Sequence, residues 1–135
     1  MLVDTSILIP IFRDKSGRRS ERFRRFLRGR DFVLSRLTQL EVLQGCKSEP
    51  QWETLNDYFA SQDYLEMTPE IWSDAARIYF DLERSGKRVG SVLDCCIAQI
   101  AIENRVPLIH NDRDFDIIGQ FRKIRLHRLD IQAME

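Results

Sequence analysis

Short runs of contiguous apolar residues alternate along this chain with stretches whose apolar positions recur every three or four residues. The first run, Met1 to Asp4, stays apolar until it ends in an acid, which predicts a short buried strand. A helix is expected over residues 5–13. A second follows over 19–29, with Phe23, Phe26 and Leu27 as its inward stripe. Asp31 to Ser35, with Phe-Val-Leu at its centre, reads as the second strand. Residues 36–46 read as a helix ended by Gly45, and residues 50–61 as another beginning near Pro50. Tyr64 to Met67 reads as a strand or an extended connection. Over 69–85, Ile71, Ala75, Ile78, Tyr79 and Leu82 fall at helical spacing and Ser85-Gly86 closes the run. An apolar helix is expected over 91–104. Strands are expected over 107–110 and 124–127.

Short apolar strands separated by helices predict an α/β protein, a parallel sheet covered by helices on both faces. In such sheets ligands bind beyond the carboxyl ends of the strands. The pattern shows no repeat, low-complexity tract or linker, so residues 1–135 are expected to form a single domain.

Composition adds limits rather than a function. Apolar residues at 43% and charged residues at 31% suit a packed core and argue against disorder. The longest apolar run, Ile7 to Phe12, contains Pro10 and falls far short of the roughly 18 residues that a membrane span needs. The chain opens directly on a strand without a charged leader, so a cytoplasmic protein is expected. Cys46, Cys95 and Cys96 form no C-x-x-C pair, which predicts free thiols rather than a zinc site or disulfides.

The net charge is +0, yet residues 13–36 carry ten basic side chains against three acids. Arginine dominates there and suits planar, bidentate contact with phosphate. A nucleic-acid or anionic-partner surface and a solvated helix face explain the stretch equally well at this point.

The acids are placed more tellingly. Asp4 ends the first strand, Glu41 lies in the helix after the second, Asp94 opens the apolar helix, and Asp112, Asp114 and Asp116 follow the strand at 107–110. Four chain segments thus aim carboxylates at one edge of the sheet. Crowded carboxylates stay ionised together only where a cation joins them, and oxygen-only donors suit Mg²⁺. Each acid also has a local explanation. Thr38 to Glu41 and Ser91 to Asp94 match capping boxes, and Asn111 can cap a helix with Asp114 at its third position. Asp4 resists such an explanation best, and the metal reading rests on the set. His110 ends a strand beside the acids, where it serves either the site or a backbone hydrogen bond; His127 reads as structural.

Other chemistries are excluded by specific positions. An EF-hand loop starting at Asp112 needs Gly and Glu where Ile117 and Lys123 stand. A phosphatase with an aspartate nucleophile needs an acid at Ser6. No phosphate-binding glycine loop and no G-x-S-x-G element occurs.

Leu2-Val3-Asp4-Thr5-Ser6, Thr38 through Gly45, Asp94 through Ala101, and Leu108 through Phe115 together resemble, in order and separation, the motifs of PIN-domain ribonucleases, in particular VapC-type toxins of VapBC toxin–antitoxin pairs. The resemblance spans nearly the whole chain. It implies a three-layer α/β/α fold and an endoribonuclease dependent on Mg²⁺ or Mn²⁺, with water rather than a protein side chain as nucleophile. Its metal-binding acids correspond to Asp4, Glu41, Asp94 and Asp112. Asp114 matches an assisting acid, and Ser6 matches the residue that hydrogen-bonds the first aspartate. His110 departs from the Thr or Ser common in the family. The resemblance further implies a homodimer and a cognate antitoxin, for which Trp52, Tyr58, Phe59 and Trp72 offer apolar contact surface unless they are core. Arg18, Arg22 and Arg25, within the stretch 18–30, are candidates to grip the RNA backbone. Two alternatives stay open: an RNA-processing nuclease without an antitoxin, and a catalytically silent binding module.

Overall fold

The structure, a computed structural model, describes residues 1–133. Strand β1 (Leu2–Val3) leads into helices α1 (Thr5–Arg13) and α2 (Arg18–Leu27). After an extended segment at 33–34 come α3 (Arg36–Gln44), α4 (Glu49–Ala60), α5 (Pro69–Arg84) and α6 (Val92–Asn104). Strand β2 (Leu108–His110), α7 (Arg113–Gly119) and β3 (Leu126–Arg128) complete the order.

The strands are parallel in the order β1-β2-β3, with Leu2 opposite Leu108 and Ile109 opposite His127. Single parallel bridges extend the sheet past β1, from Leu2 to Val33 and from Leu34 to Tyr64. The expected second strand is therefore only a pair of bridges, and Tyr64 is the sole bridged residue of the 64–67 segment.

Because side chains alternate across a strand, each strand feeds two cores. Leu2 and Leu108 pack with Ile78, Ile97 and Phe115 of α5, α6 and α7. Val3 and Ile109 pack on the other face with Ile7, Phe23, Val42 and Phe59 of α1 to α4. The sheet is thus sandwiched between helices, as expected. Helix α6 is buried from Cys95 through Ala101, which explains its uniformly apolar sequence.

Several boundaries differ from the sequence expectation for local reasons. Ser48 caps α4 by accepting the Gln51 N–H, so Pro50 falls inside the first turn, where its missing N–H costs nothing. Helix α2 ends early because Arg28 adopts a left-handed conformation at φ 53°. Helix α7 shows no periodicity in the sequence and is signalled only by its cap, which is Asp112 rather than Asn111. The last strand begins at Leu126, two residues later than expected. Phe59 is fully buried, which removes it from the candidate contact surface. Trp52 and Trp72 remain 42% and 58% exposed, and Tyr58 is half-buried. Among the described residues no helix is long and apolar enough to cross a membrane.

Candidate metal centre and nuclease site

The carboxyl ends of β1 and β2 open onto a cavity of about 500 Å³, lined among others by Asp4, Glu41, Asp94 and Asp112. All four acids assigned to metal from the sequence therefore meet in one place. Asp114 joins from the α7 side: oxygens of Asp94, Asp112 and Asp114 lie within 4.8 Å of one another. Asp94 and Asp112 belong to both groupings and form the middle of the cluster.

Asp4 is held from behind. It is the N-cap of α1, and its Oδ2 accepts the Ser6 N–H at 2.9 Å and the Ser6 hydroxyl at 2.6 Å. The structural need that the sequence did not reveal is therefore helix capping. The Ser6 hydroxyl in turn accepts the Asn111 N–H at 2.9 Å, tying β1's end to β2's. Capping uses only one oxygen. Asp4 Oδ1 is buried and has no hydrogen-bond partner, a cost that a bound cation removes.

Glu41 takes no part in a capping box. Ser35 caps α3 instead, accepting the Thr38 N–H. Glu41 Oε1 accepts the Thr5 hydroxyl at 3.1 Å, and that hydroxyl also sits 3.2 Å from Thr38 Oγ1. Ser91 caps α6 through the Leu93 N–H, which places Asp94 in the first turn. Asp112 Oδ1 accepts the Asp114 N–H at 2.9 Å, and Asp114 Oδ2 accepts the Gly90 N–H at 2.7 Å. Capping and metal binding are thus not alternatives here. The helix starts aim the acids, and their remaining oxygens converge.

The electrostatic result is strain. Burial raises the pKa of Asp4, with Asp112 adding to the effect against the lowering bonds from Ser6. Burial also raises Glu41, with the Thr5 bond opposing and Asp4 assisting. Asp94 is pushed up to about 8, by burial first and then by Asp4, Asp112, Asp114 and Glu41. An oxygen-only set with an unpartnered buried atom and mutually repelling charges fits a hard divalent cation.

His110 is fully buried. Its Nδ1 accepts the Asp112 N–H at 3.1 Å, and its Nε2 lies 3.8 Å from Asp116 Oδ1. Its place is behind the acids, supporting the backbone, and the alternative of direct reach into the cavity falls. Burial lowers its pKa, against the raising influence of Asp116.

The arginines are redistributed relative to expectation. Arg18 and Arg25 are exposed and Arg22 is half-buried, and none of the three lines the acidic cavity. Arg13 and Arg19 line it instead. Asp14 sets their geometry: it accepts the Arg19 and Ser16 N–H groups and the Ser16 hydroxyl, which hold its carboxyl down to about 2. Arg19 Nη1 also donates to the Pro10 carbonyl at 3.2 Å. Sequence alone offered only the excess of arginine here, because the turn that brings residues 13 and 19 to the cavity depends on Asp14.

Residues 1–120 match the family described as PIN domain. This chain belongs to the PIN-domain family. Among its relatives, the VapC ribonuclease Mb1587 of Mycobacterium bovis is 28% identical over 128 residues, covering 93% of this chain and 96% of the relative. Ribonuclease VapC11 of Mycobacterium tuberculosis matches with the same identity and coverage. The PIN fold is also shared with DNA-bound VapBC from Salmonella typhimurium, at TM-score 0.75 and 24% identity over 94% of this chain and 96% of that one. FitAcB from Neisseria gonorrhoeae aligns at TM-score 0.73 and 15% identity, covering 98% of this chain and 99% of that one. The three-layer architecture expected from the sequence is therefore that of the family.

Proposed function

We propose that this PIN protein is an endoribonuclease, the toxin of a VapBC-type toxin–antitoxin pair, and that residues 1–135 act as one PIN domain. The observation that carries this reading is the buried, unpartnered Asp4 Oδ1 beside Glu41, Asp94 and Asp112. Family membership and the named VapC ribonucleases support it.

Asp4, Glu41, Asp94 and Asp112 would hold Mg²⁺ or Mn²⁺, with Asp114 assisting. A cation held there supplies positive charge that makes water more acidic and stabilises charge building on the phosphate. Ser6 and Thr5 keep Asp4 and Glu41 oriented, and Gly90 does the same for Asp114. Arg13 and Arg19, which line the same cavity, offset the charge of the entering RNA backbone. In the hydrolysis a water oxygen bonds to phosphorus while the P–O3′ bond breaks, leaving a 5′-phosphate and a 3′-hydroxyl. The chain would work as a homodimer restrained by a VapB-like antitoxin, with exposed Trp52 and Trp72 available for such contacts. The VapBC structures that share its fold support a protein partner of this kind.

The deciding experiment is cleavage of total RNA by the purified, antitoxin-free protein with Mg²⁺, Mn²⁺ or EDTA, beside Asp4→Asn and Asp94→Asn. Metal-dependent cleavage lost in both folded variants is the expected result. Absence of metal-dependent cleavage by the wild type would count against the nuclease reading, and equal cleavage by the variants would count against the site.

A further inference from the structure

A second cavity, of about 470 Å³, lies at the far end of α2 and is lined by Arg25, Phe26, Arg28, Arg30 and His127. No acid lines it. None of these three arginines has an ion-pair partner among the described residues, whereas neighbouring Arg24 pairs with Glu21 at 3.2 Å. Arg30 is fixed in place: its Nε and Nη2 donate to the Leu27 and Phe26 carbonyls at 2.8 and 3.0 Å, and its guanidinium stands 5.9 Å from the Phe26 ring. Exposed His127 meets Phe26 edge-on, with ring centroids 6.3 Å apart. Arginines at a helix C-terminus favour the macrodipole. That effect accounts for the charge but not for a cavity with two aromatic walls.

The position decides what such a cavity suits. Arg19, near the start of α2, lines the acidic cavity together with Gln132, and Arg25 and His127 line this one. The same two elements, α2 and the segment from β3 onward, border both. Phe23 and Leu27 share a core with Leu129 and Ile131, which holds the two elements together. Arg19 and Arg25 stand about 9 Å apart along the α2 axis and about 120° apart around it, so a strand that reaches both crosses the helix obliquely over a few nucleotides at ~3.4 Å each. Arginine forks match phosphate, and aromatic and guanidinium planes accept splayed bases.

We propose that the Arg25–Phe26–Arg28–Arg30–His127 cavity is a subsite for single-stranded RNA, holding nucleotides a few positions from the bond placed at the acids. It deepens the ribonuclease reading and rests on it for the strand's path. An acidic peptide is the competing occupant. It matches the arginines and its apolar side chains can pack on the aromatic walls, but it has no need of the elements, α2 and the segment from β3 onward, that this cavity shares with the acidic one.

The test uses the full chain carrying Asp4→Asn, so that RNA survives the titration, with a fluorescent RNA dodecamer and a trimer over a range of salt. Adding Arg25→Gln and Arg28→Gln should weaken dodecamer binding about tenfold or more and flatten the salt slope by ~0.7 for each phosphate no longer neutralised. Trimer binding should not change. In the active chain the same pair should raise KM for the dodecamer with little change in kcat. Arg77→Gln with Arg84→Gln, exposed on α5, is the matched charge control. An unchanged dodecamer slope overturns the proposal, as does an equal weakening in the control. Intact RNA binding with loss of a co-purifying protein partner assigns the cavity to a peptide and also overturns it. If the wild type cuts no RNA but the salt slope still depends on Arg25 and Arg28, the subsite stands and the nuclease reading falls. If it cuts RNA with no such dependence, the reverse holds.

Discussion

The Ser6 hydroxyl donates to Asp4 Oδ2 at 2.6 Å, and this single bond divides the work of the carboxylate between its two oxygens. One oxygen serves the fold and the other is left beside the cavity. Ser6→Ala removes this bond and the acceptor of the Asn111 N–H together. Affinity for Mg²⁺ or Mn²⁺, read by calorimetric titration, should fall about 10–100-fold, as for supporting residues at metal sites. Stability should fall by about 1–3 kcal/mol, because a charge-assisted bond disappears and a part-buried donor is left without its acceptor. Unchanged metal affinity would show that the hydroxyl does not orient Asp4.

The pH dependence of the metal-free protein should run against the usual trend. The folded pKa of Asp94, about 8, lies above the ordinary 3.8, and Asp4 and Glu41 are shifted in the same direction. Between those values the folded state holds a proton that the unfolded state has released, so stability decreases as pH rises through the window. Asp14, held at about 2, has finished titrating below it. His110, whose pKa burial lowers from 6.5, opposes this trend below its ordinary value, and the lowered Met1 amine offsets part of it. In EDTA the melting temperature should therefore drop most clearly between about pH 6.5 and pH 8, where Asp94 dominates. Added Mg²⁺ should restore more at the upper end. A metal-free melting temperature that is flat or rising across this range would contradict the electrostatics described for the cluster.

Asp94→Asn should separate stability from activity. It removes the charge most burdened by burial and by its acidic neighbours. At pH 8 the metal-free variant should melt higher than the wild type, by about 2–8 °C for each kcal/mol of relieved repulsion. Metal-induced stabilisation should nearly vanish, and cleavage should fall by more than the ~10–100-fold typical of outer supporting residues. Paired thermal melts with and without metal, alongside a cleavage assay, check both halves.

Gly90 offers a finer probe. Its N–H donates to Asp114 Oδ2 at 2.7 Å, and an added Cβ would stand 3.3 Å from the same oxygen. Gly90→Ala should displace Asp114 by a few tenths of an ångström. Cleavage should drop several-fold while the melting temperature stays near that of the wild type. If Asp114 assists the reaction, Asp114→Asn should make a further Gly90→Ala change nearly silent.

Phe59 and Trp72 should behave oppositely despite similar sequence settings. Phe59→Ala empties a fully buried position between α4 and the sheet and should cost about 3–5 kcal/mol in a denaturant titration. Trp72→Ala, on the exposed face of α5, should stay within about 0.5 kcal/mol. A change in oligomeric state by light scattering for the tryptophan variant would place Trp72 in an interface.

Much of this molecule is legible in its residues because β1, α5, α6 and β2 have strong, uninterrupted patterns. The four carboxylates follow from the same logic, since each stands where a strand ends or a helix begins. What stays hidden depends on non-local contact. The segment at 33–34 contributes isolated bridges, not a strand, because only Val33 and Leu34 find partners. Helix α7 has only seven residues, too few for periodicity to show. Arg13 and Arg19 come to the cavity only because Asp14 closes the turn between them. Phe59 and Trp72 look alike until the neighbouring elements are in place.

The Asn111-to-Ser6 hydrogen bond joins residues 105 positions apart. Its consequence concerns timing. While the chain is being made, Asp4, Glu41 and Asp94 are all added before β2 and Asp112 are. A nascent fragment ending at α6 has neither the strand that pairs with β1 nor the backbone that anchors Ser6. The cluster is therefore assembled only after β2 and Asp112 have been added, and a fragment ending at α6 carries three of its acids without the backbone that joins them.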